Sequence, residues 1–472
     1  MSQFKILLIS LHKIGDNLQS AASLPVLAHN HPGAQITVLS ESPFDYPFRN
    51  HPNVKELVLF DRKIFPPGAT ESISFLAKNS HPVLQKLKEE RFNLIVNRHS
   101  SQEGAAIAGF IGADEIRGYF FKEDGSGWVL DPWSRLLFSA CRNRSVNPFN
   151  FVDYSINIAG PWAFRRALSL NFERGAAEKC FSEIGGAGPV VAVQVASNAE
   201  RRQWGAERFG LAVGKVLSSV PDIRFAFIGT EGERKFVSGA LLQIPQIYSS
   251  RVFDLSGKVS MEALPDFLQR CSFLLTNDTG PMHIAAAVNC PVIAIYAGES
   301  FLNETGPYAP DNWIVHADID CLPCLTNVPC SRDFICKRMV TPDAVADYMI
   351  SRLKNENDLR PYEGVSLYHS GTRFLKEEIR YRPLLQRAFT QNDFLRYAFY
   401  ATFKEGLNGI KSDLPVLANE IMTSWSGIKS TLSGLSDYSL TFVEQFAFSK
   451  DERTNLVGIM QKNVTELRKL LS

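Results

Sequence analysis

The run SFLLTNDTGPMHIAAAVN, residues 272–289, carries an apolar stretch into a turn where Asp278, Thr279, Gly280 and His283 stand together. If a strand ends at Thr276, that turn opens a helix. The first N–H groups of a helix lack intrahelical acceptors, and its dipole favours negative charge there. Thr279 adds a hydroxyl, Gly280 removes the Cβ that would block approach, and Pro281 suits the first helical turn. His283 lies on that same turn. The composite fits a diphosphate and its attached sugar. No GK[ST] follows, so it is not a Walker loop.

Three other turns bring reactive or charged side chains to the end of an apolar run. In SLHKIGDNL, Gly15 permits a tight bend and Asp16 stands near a helix start. That carboxylate could cap the helix or act as a general base, and the residues alone leave both readings open. In VASNAERRQWGAERF, Ser197 and Asn198 end a strand and Arg201 and Arg202 follow. Two guanidinium groups there are either solvated charge or a fork for phosphate oxygens. In FAFIGTEGER, Gly229 and Thr230 precede Glu231 and Glu233. A carboxylate at that place can accept hydrogen bonds from two ribose hydroxyls, or simply favour a helix N-terminus.

The elements that must position these groups alternate. FKILLIS, AQITVLS, VKELVLF and FNLIVNR read as strands with helices between them, VLQKLKEE being one. After a less regular segment at about 120–185, GPVVAVQVAS, IRFAFIGTEGE, SFLLTNDTG and PVIAIYAG repeat the pattern, with helices RFGLAVGKVLSSVP and MEALPDFLQRC. Continuous apolar strands alternating with helices predict α/β domains with parallel sheets covered on both faces. Two such units, 1–160 and 161–345, predict a cleft, with ligands at the carboxyl ends of the strands. From 346 to 472 the apolar residues follow helical spacing without convincing strands, which predicts a helical C-terminal extension.

The chain has 472 residues, 45% of them hydrophobic and 21% charged, and a formal net charge of +1. That balance gives no broad attraction to nucleic acid. No run reaches the roughly 18–20 apolar residues of a membrane span, and the apolar start reads as a strand rather than a signal peptide. A cytoplasmic location is expected. Of eight cysteines, four lie close together in CLPCLTNVPCSRDFICK: Cys321, Cys324, Cys330 and Cys336. Their spacing leaves zinc, redox chemistry or a packed loop as alternatives.

NDTGPMHIAAAVNCPVIAIYAGES resembles the signature of glycosyltransferase family 9, the ADP-heptose:lipopolysaccharide heptosyltransferases and their relatives. ILLISLHKIGDNLQSAASLPVLAHNHPGAQITVLSES resembles that family's first strand and its G-D turn, and LSGKVSMEALPDFLQRCSFLLTNDTG the approach to the signature. The resemblance covers about residues 4–345. It implies a GT-B fold of two Rossmann-like domains, the first for the acceptor and the second for the nucleotide sugar. It implies an inverting, metal-independent transfer of heptose, or a related sugar, to a lipopolysaccharide core or other glycan, with no cofactor. Asp16 would be the base. Donor contacts would come from Ser197, Arg201, Arg202, Gly229, Thr230, Glu231, Asp278, Thr279, Gly280 and His283, and acceptor contacts from Gly15, His99 and Ser100. A lipid-linked acceptor would bring the enzyme to the inner face of the inner membrane. Two other readings stay open: a sugar-nucleotide epimerase of the same fold, and a non-catalytic scaffold acting through the helical extension.

Overall fold

Continuous apolar runs form the centres of two sheets, because each such strand is covered on both faces. In the computed structural model, residues 3–61, 76, 81–161, 167–325, 328–356, 358–373, 378–385, 387–409, 413–426, 428 and 450–471 are described. They divide into two compact units. The first holds the described residues of Met1–Asn171, Gln391–Ala418 and Lys429–Ser472, and the second those of Phe172–Thr390 and Asn419–Ile428.

The first unit's sheet contains β1 (Lys5–Ile9), β2 (Gln35–Ser40), β3 (Glu56–Leu59), β4 (Phe92–Asn97), β5 (Ala113–Phe121) and β6 (Gly127–Val129). Their order is β3-β2-β1-β4-β5-β6, parallel except for the β5–β6 hairpin. Leu7, Ile9, Leu39 and Ile95 contribute to its core. Helix α1 (Ile14–Ala21) follows β1, and α2 (Gln102–Ile111) follows β4; α3 (Pro132–Ala140) and α4 (Phe151–Ala159) come later. Strand order reverses between β1 and β4. Such a reversal leaves the carboxyl ends of the two strands open to a ligand.

The second unit's sheet contains β7 (Val190–Gln194), β8 (Arg224–Ile228), β9 (Val252–Asp254), β10 (Phe273–Asn277), β11 (Val292–Tyr296) and β12 (Trp313–Ala317), with β13 (Val365–Arg373) and β14 (Glu378–Pro383) beyond. The order is β14-β13-β12-β11-β10-β7-β8-β9. Read from β9, its parallel strands repeat the order of the first unit, so the reversal falls between β7 and β10. Helix α5 (Ala206–Ser219) shows how the sequence builds the outer layer. Phe209, Ala212, Val213, Val216 and Leu217 fall on one face and are buried, while Leu211 and Lys215 face outward. Burying each larger apolar side chain contributes about 1.5–3 kcal/mol relative to leaving it exposed. Helix α6 (Gly280–Ala287) follows β10.

The region from 346 onward carries the expected helices and also strands that its sequence pattern did not announce. β13 and β14 pair antiparallel at the edge of the second sheet. Their residues, including Ser366, His369, Ser370, Arg380 and Arg382, mix polar with apolar side chains and lack the continuous apolar run of a central strand. Helices are present further on. Asn408, at the end of α7 (Gln391–Asn408), accepts from Trp133 Nε1 of α3 at 2.8 Å and donates to Asn157 of α4 at 2.9 Å. Helix α8 (Lys450–Leu471) packs on α7 at Gly406, where an added Cβ would lie 2.4 Å from Leu456. The stretch 430–449 of the expected extension lies outside the described residues. Among the described residues no helix is long and apolar enough to cross a membrane.

Candidate active site

In the first unit, β1 ends at Ile9 and the chain turns through Ser10–Lys13 into α1. A buried side chain from the helix holds that turn. Asn17 Oδ1 accepts from Ser10 Oγ (2.7 Å) and the His12 N–H (3.3 Å), while Nδ2 donates to the carbonyls of His12 (3.0 Å) and Phe44 (2.8 Å). Held this way, Gly15 is buried and Asp16 projects from the first helical turn, exposed. The N-cap position belongs to Lys13, whose side chain makes no cap bond. Among the described residues the Asp16 carboxylate makes no hydrogen bond or ion pair. Capping does not occupy it.

β4 delivers a second set of groups to the same sheet edge, since Asn97 lies opposite Ile9 and the Arg98 N–H donates to the Ile9 carbonyl at 2.9 Å. His12 Nε2 lies 2.9 Å from the Arg98 carbonyl, and His12 Nδ1 lies 3.2 Å from His99 Nδ1. A carbonyl only accepts, so Nε2 of His12 carries the proton. With His12 neutral, His99 Nδ1 is then the donor between the rings. His99 Nε2 faces Glu103 at 4.0 Å. His99 is buried and Ser100 exposed. Arg98, which the sequence did not single out, is half-buried. Burial pulls its guanidinium down to about 10, opposed by the charges of Asp131 and Asp16, so it stays charged at neutral pH.

In the second unit, Asn277 plays the part of Asn17. Its Oδ1 accepts from the Trp204 N–H (2.9 Å) and its Nδ2 donates to the Val195 carbonyl (2.9 Å), tying the end of β10 to the turn after β7. Trp204 is fully buried and donates its indole N–H to the Val340 carbonyl at 2.7 Å. Next to this staple, Asp278 is buried, accepts from Thr305 Oγ1 at 3.0 Å and lies 3.6 Å from an Arg202 nitrogen. Thr279 is the N-cap of α6, yet its hydroxyl turns to Thr276 Oγ1 at 3.0 Å and gives the helix no cap bond. Gly280 opens the helix, and His283 is buried one turn on. A helix start without a side-chain cap, beside a fixed carboxylate, is a place for a phosphate and a polar group attached to it.

The two arginines are separated by their partners. Arg202 Nε donates to Glu299 at 3.0 Å and thereby stands beside Asp278. Arg201 donates to the Leu325 carbonyl at 3.4 Å and to that of Val328. Gly298, at φ +61°, lets this segment approach: an added Cβ would lie 2.5 Å from the Arg201 carbonyl. Arg201 thus reaches the cysteine loop. Among the described residues Cys321, Cys324, Cys330 and Cys336 form no disulfide. Burial raises Cys321 and Cys324, whereas the N–H groups of Phe334 and Arg332 lower Cys330. Among the described residues no three His, Cys, Asp or Glu side chains are grouped to hold a metal ion.

Glu231 and Glu233 both have local partners. Arg234 binds Glu231 bidentately at 2.8 and 2.7 Å, and Glu233 accepts from the Thr230 N–H at 2.8 Å. Gly229 packs within 3.2 Å of Glu233 as measured from an added Cβ, and Ser197 accepts from Gln203 through its carbonyl at 2.7 Å. The strand ends also carry Gln194 and Ser256, whose buried Oε1 and Oγ meet no partner among the described residues. Buried polar atoms without partners are rare and mark places where a ligand can supply them. Their only sequence signal was a polar residue at or just after the end of a strand.

Two parallel sheets of like strand order, each reversing beside a turn that carries a carboxylate, define a protein with two Rossmann-like α/β units as its class. The model of glycosyltransferase family 9 (heptosyltransferase) matches residues 81–332, more than half of the chain, and the chain belongs to that family. A lipooligosaccharide heptosyltransferase 2 of Campylobacter jejuni is 26% identical over 163 residues, which are 34% of this chain and 50% of that protein. The chain spans about half the length of the curated relatives it matches first. Two solved structures share the fold. A family 9 glycosyl transferase of Veillonella parvula aligns with a TM-score of 0.61 and 19% identity over 75% of this chain and 99% of that one. The ADP-heptose LPS heptosyltransferase II of E. coli aligns at 0.54 and 17%, with the same coverage.

Proposed function

We propose that this chain is an inverting glycosyltransferase that moves heptose from a nucleoside-diphosphate donor, ADP-heptose first among candidates, to a hydroxyl of a lipopolysaccharide core or other glycan. Asp16 takes the proton of the acceptor hydroxyl. That oxygen attacks the anomeric carbon of the donor from the face opposite the leaving group, the C–O bond to phosphate breaks, and the nucleoside diphosphate departs with the electron pair. The start of α6 and Thr279 meet the charge that grows on the diphosphate, where fixed dipoles stabilise most because they need no reorganisation. Asp278, held by Thr305 and Arg202, orients the donor sugar. Arg201 acts through the cysteine loop it is bonded to, and Gln194 and Ser256 join Gly229 and Thr230 around the nucleoside. No step in this account draws on a metal.

The observation that carries the reading is the contrast between an exposed Asp16 without a bonding partner among the described residues and a buried, pinned Asp278 at equivalent reversals of two like sheets. The family membership and the ADP-heptose named for the E. coli enzyme support heptose and ADP. A thermal-shift series with ADP, UDP, GDP, ADP-heptose and UDP-glucose tests it. A ligand present at 100 times its Kd adds about 2.7 kcal/mol, a shift of several degrees. Selective stabilisation by ADP and ADP-heptose is expected. A response confined to uridine ligands redirects the donor, and no response to any of them argues against a transferase.

A further inference from the structure

The geometry points to Arg98 as the receptor for an anionic group, carboxylate or phosphate, on the acceptor substrate. This rests on the transferase reading above. Its backbone is fixed on both sides: the N–H donates to the Ile9 carbonyl at 2.9 Å, and the carbonyl accepts from His12 Nε2 at 2.9 Å. The His12–His99 contact holds that imidazole in turn. The residue therefore stands in place without any help from its own side chain.

The guanidinium is the part left over. Its Nε is buried and meets no acceptor among the described residues, and no carboxylate there closes an ion pair with it. Neither nearby acid bonds to it among the described residues. Asp131 spends Oδ2 on the Gly118 N–H and Oδ1 on the Ser134 N–H, both at 2.8 Å, capping α3. Asp16 projects outward from α1 and reaches Arg98 only through its field. Desolvating a guanidinium without a partner is unfavourable, and a bound anion would offset that cost. A planar fork of N–H donors matches a carboxylate or phosphate in two parallel bonds, which a neutral hydroxyl cannot do. Placed at the β1–β4 reversal together with Asp16, such a bond would hold the acceptor by its charge while Asp16 takes the proton of a nearby hydroxyl.

The test uses the full chain and three sugar probes: glucuronate for the carboxylate, glucose 6-phosphate for the phosphate, and glucose as the neutral control. Binding is followed by calorimetry for the wild type, Arg98→Lys and Arg98→Gln. The wild type is expected to prefer one or both anions over glucose, and which anion is preferred identifies the group. Arg98→Gln should weaken that preference about tenfold to hundredfold, the range for a charge-assisted hydrogen bond, with Arg98→Lys in between. ADP-induced stabilisation is measured on the same proteins. It reports the donor unit alone, so its absence in the wild type counts against the transferase and not against Arg98. Equal affinity of the wild type for all three probes, or no binding of either anion, overturns the proposal. So does an Arg98→Gln protein that keeps both the ADP response and the anion preference.

Discussion

Asp16 and Asp278 each lie near a sheet reversal, Asp16 on the first turn of the helix after β1 and Asp278 directly after β10, and the fold treats them in opposite ways. Both turns are stapled by a buried asparagine next in sequence, Asn17 after Asp16 and Asn277 before Asp278. Asp16 is exposed and makes no hydrogen bond or ion pair among the described residues; Asp278 is buried and held by Thr305 and Arg202. A group that must exchange a proton needs access and freedom from competing donors. A group that orients a sugar needs a fixed position. The same backbone device thus supports two different chemical tasks, and the difference lies in what surrounds the carboxylate.

The comparison can be broken most severely at the staples. Asn277→Ala leaves the Trp204 N–H and the Val195 carbonyl without partners, at about 1–3 kcal/mol for each orphaned group. Asn17→Ala should cost at least as much, since that amide serves more partners. Urea unfolding measures both, and a near-neutral result for either means that its turn is held by something else. Next come the acids themselves. Asp278→Ala should lose about 1.5–3 kcal/mol, the range for a hydrogen bond to a charged group, while Asp16→Ala should stay within about 0.5 kcal/mol of the wild type. Equal losses would erase the distinction drawn here.

The smallest effect belongs to Glu231, an exposed partner of Arg234 whose carboxyl is held below its ordinary value of 4.5 by that hydrogen bond. A depressed acid contributes its stability above the ordinary value and loses it as pH falls through the folded one. Glu231→Gln should therefore lower Tm slightly at pH 7 and not at all at strongly acidic pH. A Tm difference that persists in acid would mean that packing, not charge, ties Glu231 to Arg234. A chemical readout sharpens the view of the cysteine loop. The lowered Cys330 thiol should react with iodoacetamide before Cys321 and Cys324, whose thiols burial raises. Faster labelling of Cys321 would remove the backbone N–H groups as the controlling influence.

The central strands were legible because their apolar runs are unbroken, and the strand-end turns because Gly, Asp, Asn and Thr follow those runs. β13 and β14 were not, since Ser, His and Arg break their apolar pattern, although Ser366 and Ser370 are buried. Arg98 looked like any charged residue after a strand; only the paired register of β1 and β4 shows it beside Asp16. The partners of Arg201 and Arg202 lie about a hundred residues away in the chain, beyond the reach of local patterning. The Glu231–Arg234 pair, three residues apart, was within that reach. Helical i,i+3 spacing of opposite charges was the available signal.

The proposed transfer turns on Asp16 as the base, and one variant tests that role directly. Asp16→Asn keeps the shape of the turn and removes the proton acceptor. Turnover with ADP-heptose and a glycan acceptor should fall about 100- to 10,000-fold, while the affinity for ADP and the unfolding midpoint stay at their wild-type values. Turnover retained within a few-fold, or a loss matched by lost ADP binding, would contradict the assignment.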